Sequence, residues 1–81
     1  MNVVVTLYAG ARQLTGCDQV DVELPDGATV ADLQRALAER YPPAAELLAR
    51  SAIAIDAEYA TPDQPIPSQA EVACIPPVSG G

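Results

Sequence analysis

No histidine, lysine, phenylalanine or tryptophan occurs in this 81-residue chain, and each absence narrows what the protein can be. Without histidine, and with only Cys17 and Cys74 set far apart, there is no ligand set at the spacing a zinc site uses. Without histidine or lysine, the commonest general base and the amine nucleophile are both missing. No nucleophile elbow and no glycine-rich phosphate loop is present either; Pro25-Asp26-Gly27-Ala28-Thr29 holds a single glycine. An enzyme acting alone is therefore not expected. Three tyrosines are the only aromatics, and much of the 49% apolar content is alanine and valine. Such a chain makes one domain with a modest core and little room for a buried active site.

Long apolar runs are also lacking. Nothing approaches the roughly 20 residues of a membrane span, and no charged start precedes an apolar segment and a cleavage site. The cytoplasm is the expected location, with no membrane partner. In a reducing compartment Cys17 and Cys74 read as small apolar fillers rather than a disulfide or a sulfur relay. A net charge of −7 excludes electrostatic capture of nucleic acid and suits either a solvated surface or a partner with a basic face.

What is present is a readable order of elements. Residues 2–9 form a first strand, with Val3, Val5 and Leu7 alternating with Asn2, Val4, Thr6 and Tyr8. Val4 on the second face predicts that this face is partly covered. Residues 11–16 make one helical turn closed by Gly16. Val20, Val22 and Leu24 alternate with Asp21 and Glu23 in a half-buried antiparallel strand. After the turn at Pro25-Asp26-Gly27, Thr29 caps a helix with Asp32 reaching back to it. Val30, Leu33, Leu37 and Tyr41 share one face of that helix, and Arg35, Glu39 and Arg40 face water. Pro42-Pro43 ends it, and residues 44–50 form a second short helical segment.

Residues 52–56 form a short strand, Glu58-Tyr59-Ala60 can pair after a turn, and residues 63–68 read as irregular loop. Residues 71–75 are the last strand, with Val72 and Cys74 on one face and Ala73 and Ile75 on the other. The two terminal strands are the most apolar, which places them centrally and parallel. The expected fold is α+β: a β-grasp, mixed sheet of four to five strands with one main helix across one face. It comprises a domain over 1–75 and an extended tail over 76–81.

The tail carries the chemistry. Pro76 and Pro77 stiffen the exit, and residues 76–81 span at most roughly 20 Å when extended. Gly80 and Gly81 have no Cβ, so they fit a channel too narrow for side chains and leave the last carbonyl unhindered. The same Gly-Gly also suits a plain flexible tail. Elsewhere, Asp21 with Glu23 and Asp56 with Glu58 read as solvated faces rather than acid–base pairs.

The ending Val72-Ala73-Cys74-Ile75-Pro76-Pro77-Val78-Ser79-Gly80-Gly81 resembles the C-terminus of the molybdopterin synthase small-subunit family, the sulfur carriers of molybdenum cofactor synthesis. Tyr8-Ala9-Gly10-Ala11-Arg12-Gln13-Leu14-Thr15-Gly16 and Asp56-Ala57-Glu58-Tyr59 resemble two further stretches of that family. The resemblance implies a ubiquitin-like fold and a non-catalytic, sulfur-donating role. A ubiquitin-activating-type adenylyltransferase, using ATP and Mg²⁺, would form an acyl-adenylate at Gly81. A cysteine desulfurase or sulfurtransferase would supply sulfur for a thiocarboxylate. The large synthase subunit, in a heterotetramer, would receive it for transfer to the pterin precursor. The carrier itself would bind no cofactor.

By the same resemblance Gly81 carries sulfur and Gly80 gives the narrow approach. Pro76, Pro77, Val78 and Ser79 form the arm, and Tyr8, Tyr59 and Ile75 form an apolar docking patch. Arg12 pairs with a partner or with the chain's own carboxylates. Departures from the pattern are Gln13 for an acid, Asp56 for Asn, Cys74-Ile75 for paired Phe, and Ser68-Gln69-Ala70-Glu71 for Asp-Gly-Asp-Glu. The rival readings are a carrier for thiazole or another product, a ubiquitin-like protein modifier, and an inert interaction module. The lack of lysine reads first as compositional drift in an alanine-rich proteome; the functional reading is that a carrier with an activated C-terminus gains by having no side-chain amines of its own to acylate.

Overall fold

A computed structural model of the chain describes residues 1–77. In chain order the elements are β1 (Asn2–Leu7), α1 (Ala9–Thr15), β2 (Gln19–Glu23), α2 (Val30–Arg40), a 3₁₀ turn (Pro42–Ala44), α3 (Ala45–Arg50), β3 (Ala52–Ile55), β4 (Glu58–Tyr59) and β5 (Val72–Ile75). The strands form one mixed sheet in the order β2-β1-β5-β3-β4.

Alternation decides the two faces. Val3, Val5 and Leu7 of β1 are buried, and the antiparallel register sets Val3 opposite Val22 and Val5 opposite Val20. β5 runs parallel to β1, with Val5 beside Val72 and Leu7 beside Cys74, so the two terminal strands are adjacent and parallel as expected. On its other side β5 is antiparallel to β3, with Ile53 opposite Cys74 and Ile55 opposite Val72. All these apolar side chains project to one face, where the helices lie.

α2 supplies most of the covering layer. Thr29 is its N-cap: the Thr29 hydroxyl accepts from the Asp32 backbone N–H at 3.3 Å, and Asp32 Oδ2 accepts from the Thr29 N–H at 2.9 Å. Val30, Leu33 and Leu37 recur at helical spacing and are buried against the sheet. Full burial of such a side chain contributes on the order of 2 kcal/mol. Leu48 of α3 and Ala11 of α1 complete the layer.

The loop over residues 63–68 is tied down rather than free. Val30 N–H donates to the Gln64 carbonyl and Ile66 N–H to the Ala28 carbonyl, which drives Ile66 into the core. Cys74 is fully buried, and burial pushes its thiol above the usual range, as suits a core filler. Cys17 is half-buried, its Sγ 3.6 Å from the Thr15 carbonyl, and both thiols are free.

Three details differ from the pattern read in the sequence. α1 begins at Ala9, which takes φ 48° immediately after the extended Tyr8; this left-handed step turns the chain out of β1 and into the helix two residues early. Among the described residues no helix or strand covers the second face of the sheet, and Val4 is 41% exposed there. Pro76 is buried, so the compact body runs one residue past the expected boundary and the exposed exit begins at Pro77.

Candidate functional site

Among the described residues every helix lies on one side of the sheet and leaves the other side open. The pairing registers align Gln19, Thr6, Ala73, Ala54 and Tyr59 in one row across all the strands. Thr6, Ala73 and Ala54 in the middle of that row are small, so the sheet carries a shallow groove between taller neighbours. Tyr8 and Ile75 wall it toward the exit of β5, and Val4 stands on the opposite side.

The expected docking residues Tyr8, Tyr59 and Ile75 thus line the same groove. Tyr8 is 50% exposed and Tyr59 75% exposed, while Ile75 is half-buried. An aromatic ring left this open on a strand contributes little to the core, and its apolar area is available to a partner. Tyr8 is held in place by its backbone: its N–H donates to the Cys74 carbonyl at 3.3 Å, fixing the end of β1 against β5.

Positive side-chain charge is confined to the helical layer, while acidic residues occur in both. Asp21 and Glu23 lie on the open face of β2, and Glu71 lines the groove at the start of β5. None of the arginines is on a strand: Arg12 is in α1, Arg35 and Arg40 in α2, and Arg50 in α3. An apolar groove with acidic residues beside it fits a partner surface that is apolar at its centre and basic around it. Arg12 is not part of the groove. Its guanidinium lies 3.8 Å from Asp18 with both side chains largely exposed, a pair that contributes less than about 1 kcal/mol.

Two turns at the far end of the groove carry left-handed backbone that the sequence reading, which placed a turn before Glu58, did not foresee. Asp56 (φ 50°) and Ala57 (φ 69°) form the connection between β3 and β4, and Gln69 (φ 65°) sits in a turn in which Ala70 N–H donates to the Pro67 carbonyl. Ala57 and Gln69 both line the groove. Neither residue type signals a left-handed position. The one hint was the departure of 68–71 from the family pattern; the turn is kept without its glycine.

Toward the C-terminus, Ile75 pairs with Ala52, Pro76 is buried and Pro77 is exposed. Val78, Ser79, Gly80 and Gly81, to which the arm and the reactive end are assigned, lie outside the described residues. Among the described residues, no helix is long and apolar enough to cross a membrane, and no three His, Cys, Asp or Glu side chains are grouped to hold a metal.

Comparison with known proteins agrees with this geometry. The model of the ThiS family matches residues 5–81. The molybdopterin synthase sulfur carrier subunit of Arabidopsis thaliana is 32% identical over 81 residues, covering 100% of this chain and 84% of that protein. The protein of the same name from Dictyostelium discoideum is 39% identical over 80 residues, covering 95% of this chain and 93% of its own length. The crystal structure of SAMP1 from Haloferax volcanii matches with a TM-score of 0.85 at 25% identity, covering 100% of both chains. The α+β arrangement is the ubiquitin-like β-grasp read from the sequence.

Proposed function

The chain belongs to the ThiS family, and from that premise we propose that it is the sulfur carrier of molybdopterin synthesis, the small subunit of the synthase. The observation that carries the reading is the full-length likeness to proteins named molybdopterin synthase sulfur carrier subunit, together with a family match that continues through Gly81. On this reading the body is a handle and the C-terminal carboxylate is the reagent. A carboxylate is inert at neutral pH because its oxygen is a poor leaving group. Adenylation by a ubiquitin-activating-type partner, with ATP and Mg²⁺, replaces it by a good one. Sulfur from a cysteine desulfurase or sulfurtransferase then gives the thiocarboxylate, a soft nucleophile.

The large subunit of the synthase is the second partner, in a heterotetramer. The groove bounded by Tyr8, Tyr59 and Ile75 supplies the docking contact, and docking raises the effective concentration of the tail at the acceptor. Pro77, Val78 and Ser79 bridge the distance, and Gly80-Gly81 passes the narrow approach. The acid–base groups and phosphate-binding loop that this chain lacks belong to those partners.

Intact mass measurement after incubation with the activating enzyme, ATP and a sulfur donor tests the reading. The expected result is a gain equal to exchanging one oxygen for sulfur, abolished when Gly81 is deleted. No gain, under conditions that convert a known carrier, would overturn it. The likeness to a solved structure named Haloferax volcanii small archaeal modifier protein 1, at a TM-score of 0.81 and 25% identity, supports one second reading, a protein modifier. Gly81 joined to lysines of many cellular proteins would establish that role instead.

A further inference from the structure

Resting on the carrier reading, we propose that this chain is built so that its own activated C-terminus finds no primary amine within its reach among the 81 residues, which leaves sulfur as the productive acceptor. All four basic side chains, Arg12, Arg35, Arg40 and Arg50, are arginine. A guanidinium stays protonated and does not attack an acyl group, whereas a lysine amine has a free-base fraction that does.

The ion pairs do not require arginine. Arg35 meets Asp32 through one contact of 3.2 Å and Arg12 meets Asp18 at 3.8 Å, both on the surface, where an ammonium serves as well. Only Arg40, which lies over the Tyr41 ring at 5.5 Å and donates to the Asp21 carbonyl, uses the planar group. Position matters more. Arg50 ends α3 just before Ala52, the partner of Ile75. Arg12 is in α1, which starts where Tyr8 bonds Cys74. Both therefore stand at the end of the sheet from which the chain leaves at Pro77, where residues 78–81 can reach at most about 14 Å.

The α-amine of Met1 is held at the other end. It donates to the Leu24 carbonyl at 2.6 Å and lies 3.6 Å from the Asp26 carboxylate. The parallel register that sets Val5 beside Val72 and Leu7 beside Cys74 brings Pro77 level with residue 10. Met1 is then about 30 Å away along the strand, roughly twice the reach of the tail. Cys74 is buried, and a thioester at Cys17 would exchange with other thiols, whereas an amide is a dead end. In that dead-end step the amine nitrogen bonds the Gly81 carbonyl carbon and the bond to the leaving group breaks. The leaving group departs as adenosine monophosphate or thiol, and the ammonium proton passes to solvent.

The experiment uses the full chain released from an intein as a Gly81 α-thioester, so that activation does not depend on any partner enzyme. Unsubstituted protein should hydrolyse to the free acid. Arg12→Lys and Arg50→Lys should instead form a lactam lighter than the acid by one water, at least about tenfold more than the unsubstituted chain. Asn2→Lys, at the far end of β1, should not. Lactam or amide-linked dimer in the unsubstituted chain, or none in either arginine-to-lysine variant, would overturn the proposal. A parallel incubation with the activating enzyme and ATP reads pyrophosphate release. Failure there refutes the carrier reading alone, since the thioester result still decides acceptor access.

Discussion

Asp56 grips both backbone groups of Glu71: its N–H donates to the Glu71 carbonyl at 2.8 Å, and its Oδ1 accepts from the Glu71 N–H at 2.9 Å. The turn between β3 and β4 is thereby stitched to the first residue before β5. The left-handed backbone at Asp56 aims the carboxylate at Glu71, and Asp tolerates that conformation better than most residues. Asp56→Ala should cost about 1 kcal/mol in urea unfolding, whereas Asp56→Asn, whose side-chain oxygen accepts equally well, should stay within about 0.5 kcal/mol. An Asp56→Ala chain as stable as the original would show that the stitch adds nothing.

Ala57 and Gln69 hold positive φ without being glycine, at a cost of roughly 1 kcal/mol each. Glycine relieves that strain and gives some of it back through the unfolded chain's entropy. Ala57→Gly and Gln69→Gly should each raise the thermal midpoint, by up to about 1 kcal/mol in stability. Lower midpoints in both would mean that neither turn is strained.

The capping box makes α2 sensitive to acid. The Thr29 backbone N–H foremost, then the Thr29 hydroxyl, hold the Asp32 carboxyl below its usual value; burial opposes them, and the Arg35 guanidinium adds to the lowering. A lowered carboxyl contributes its stability above the unfolded-state value and loses it as pH falls through the folded one. Stability should therefore drop on acidification below the ordinary carboxylate range, and less steeply in Asp32→Asn. Thr29→Ala should cost about 1 kcal/mol at neutral pH. Identical acid limbs for the original and Asp32→Asn chains would remove this explanation.

The open face should matter to binding more than to folding. Tyr59→Ala is expected to change stability by less than about 1 kcal/mol, yet to weaken association with the synthase large subunit at least about tenfold. Neutralising Asp21 and Glu23 together should flatten the salt dependence of the association rate, with a smaller effect on dissociation. Calorimetry and stopped-flow mixing at two ionic strengths separate the effects.

Much of this fold can be read from residue patterns because the strands are half-buried. Alternation in β1 and β2 assigns Val3, Val5, Val20 and Val22 to the core, and the cap at Thr29 with Leu33 and Leu37 marks α2. Those signals are periodic and local. What was hidden depends on single backbone angles or on tertiary seating. Ala9, Ala57 and Gln69 carry no side-chain preference for left-handed backbone, so α1's early start and the left-handed geometry of both groove turns were silent. Pro76 suggested an exposed arm by composition and is buried because the end of β5 has neighbours on both sides. Val4 suggested a covered face, and its valine stays exposed on the face assigned to docking. Tyr8, Tyr59 and Ile75 were found through family resemblance; their convergence came from the register that puts β1, β3, β4 and β5 side by side.

The position of β5 in the sheet has a consequence for how the protein is made. Among the described residues the last strand in chain order fills the centre, between β1 and β3, which do not pair with each other. Until it arrives, β1 with β2 and β3 with β4 are two detached hairpin-like pieces with open edges, too small to persist alone. Closure of the sheet therefore waits for residues 72–75, which pair with β1 on one side and β3 on the other. A chain cut before Val72 would lack the strand that joins the two pieces and could not close the sheet.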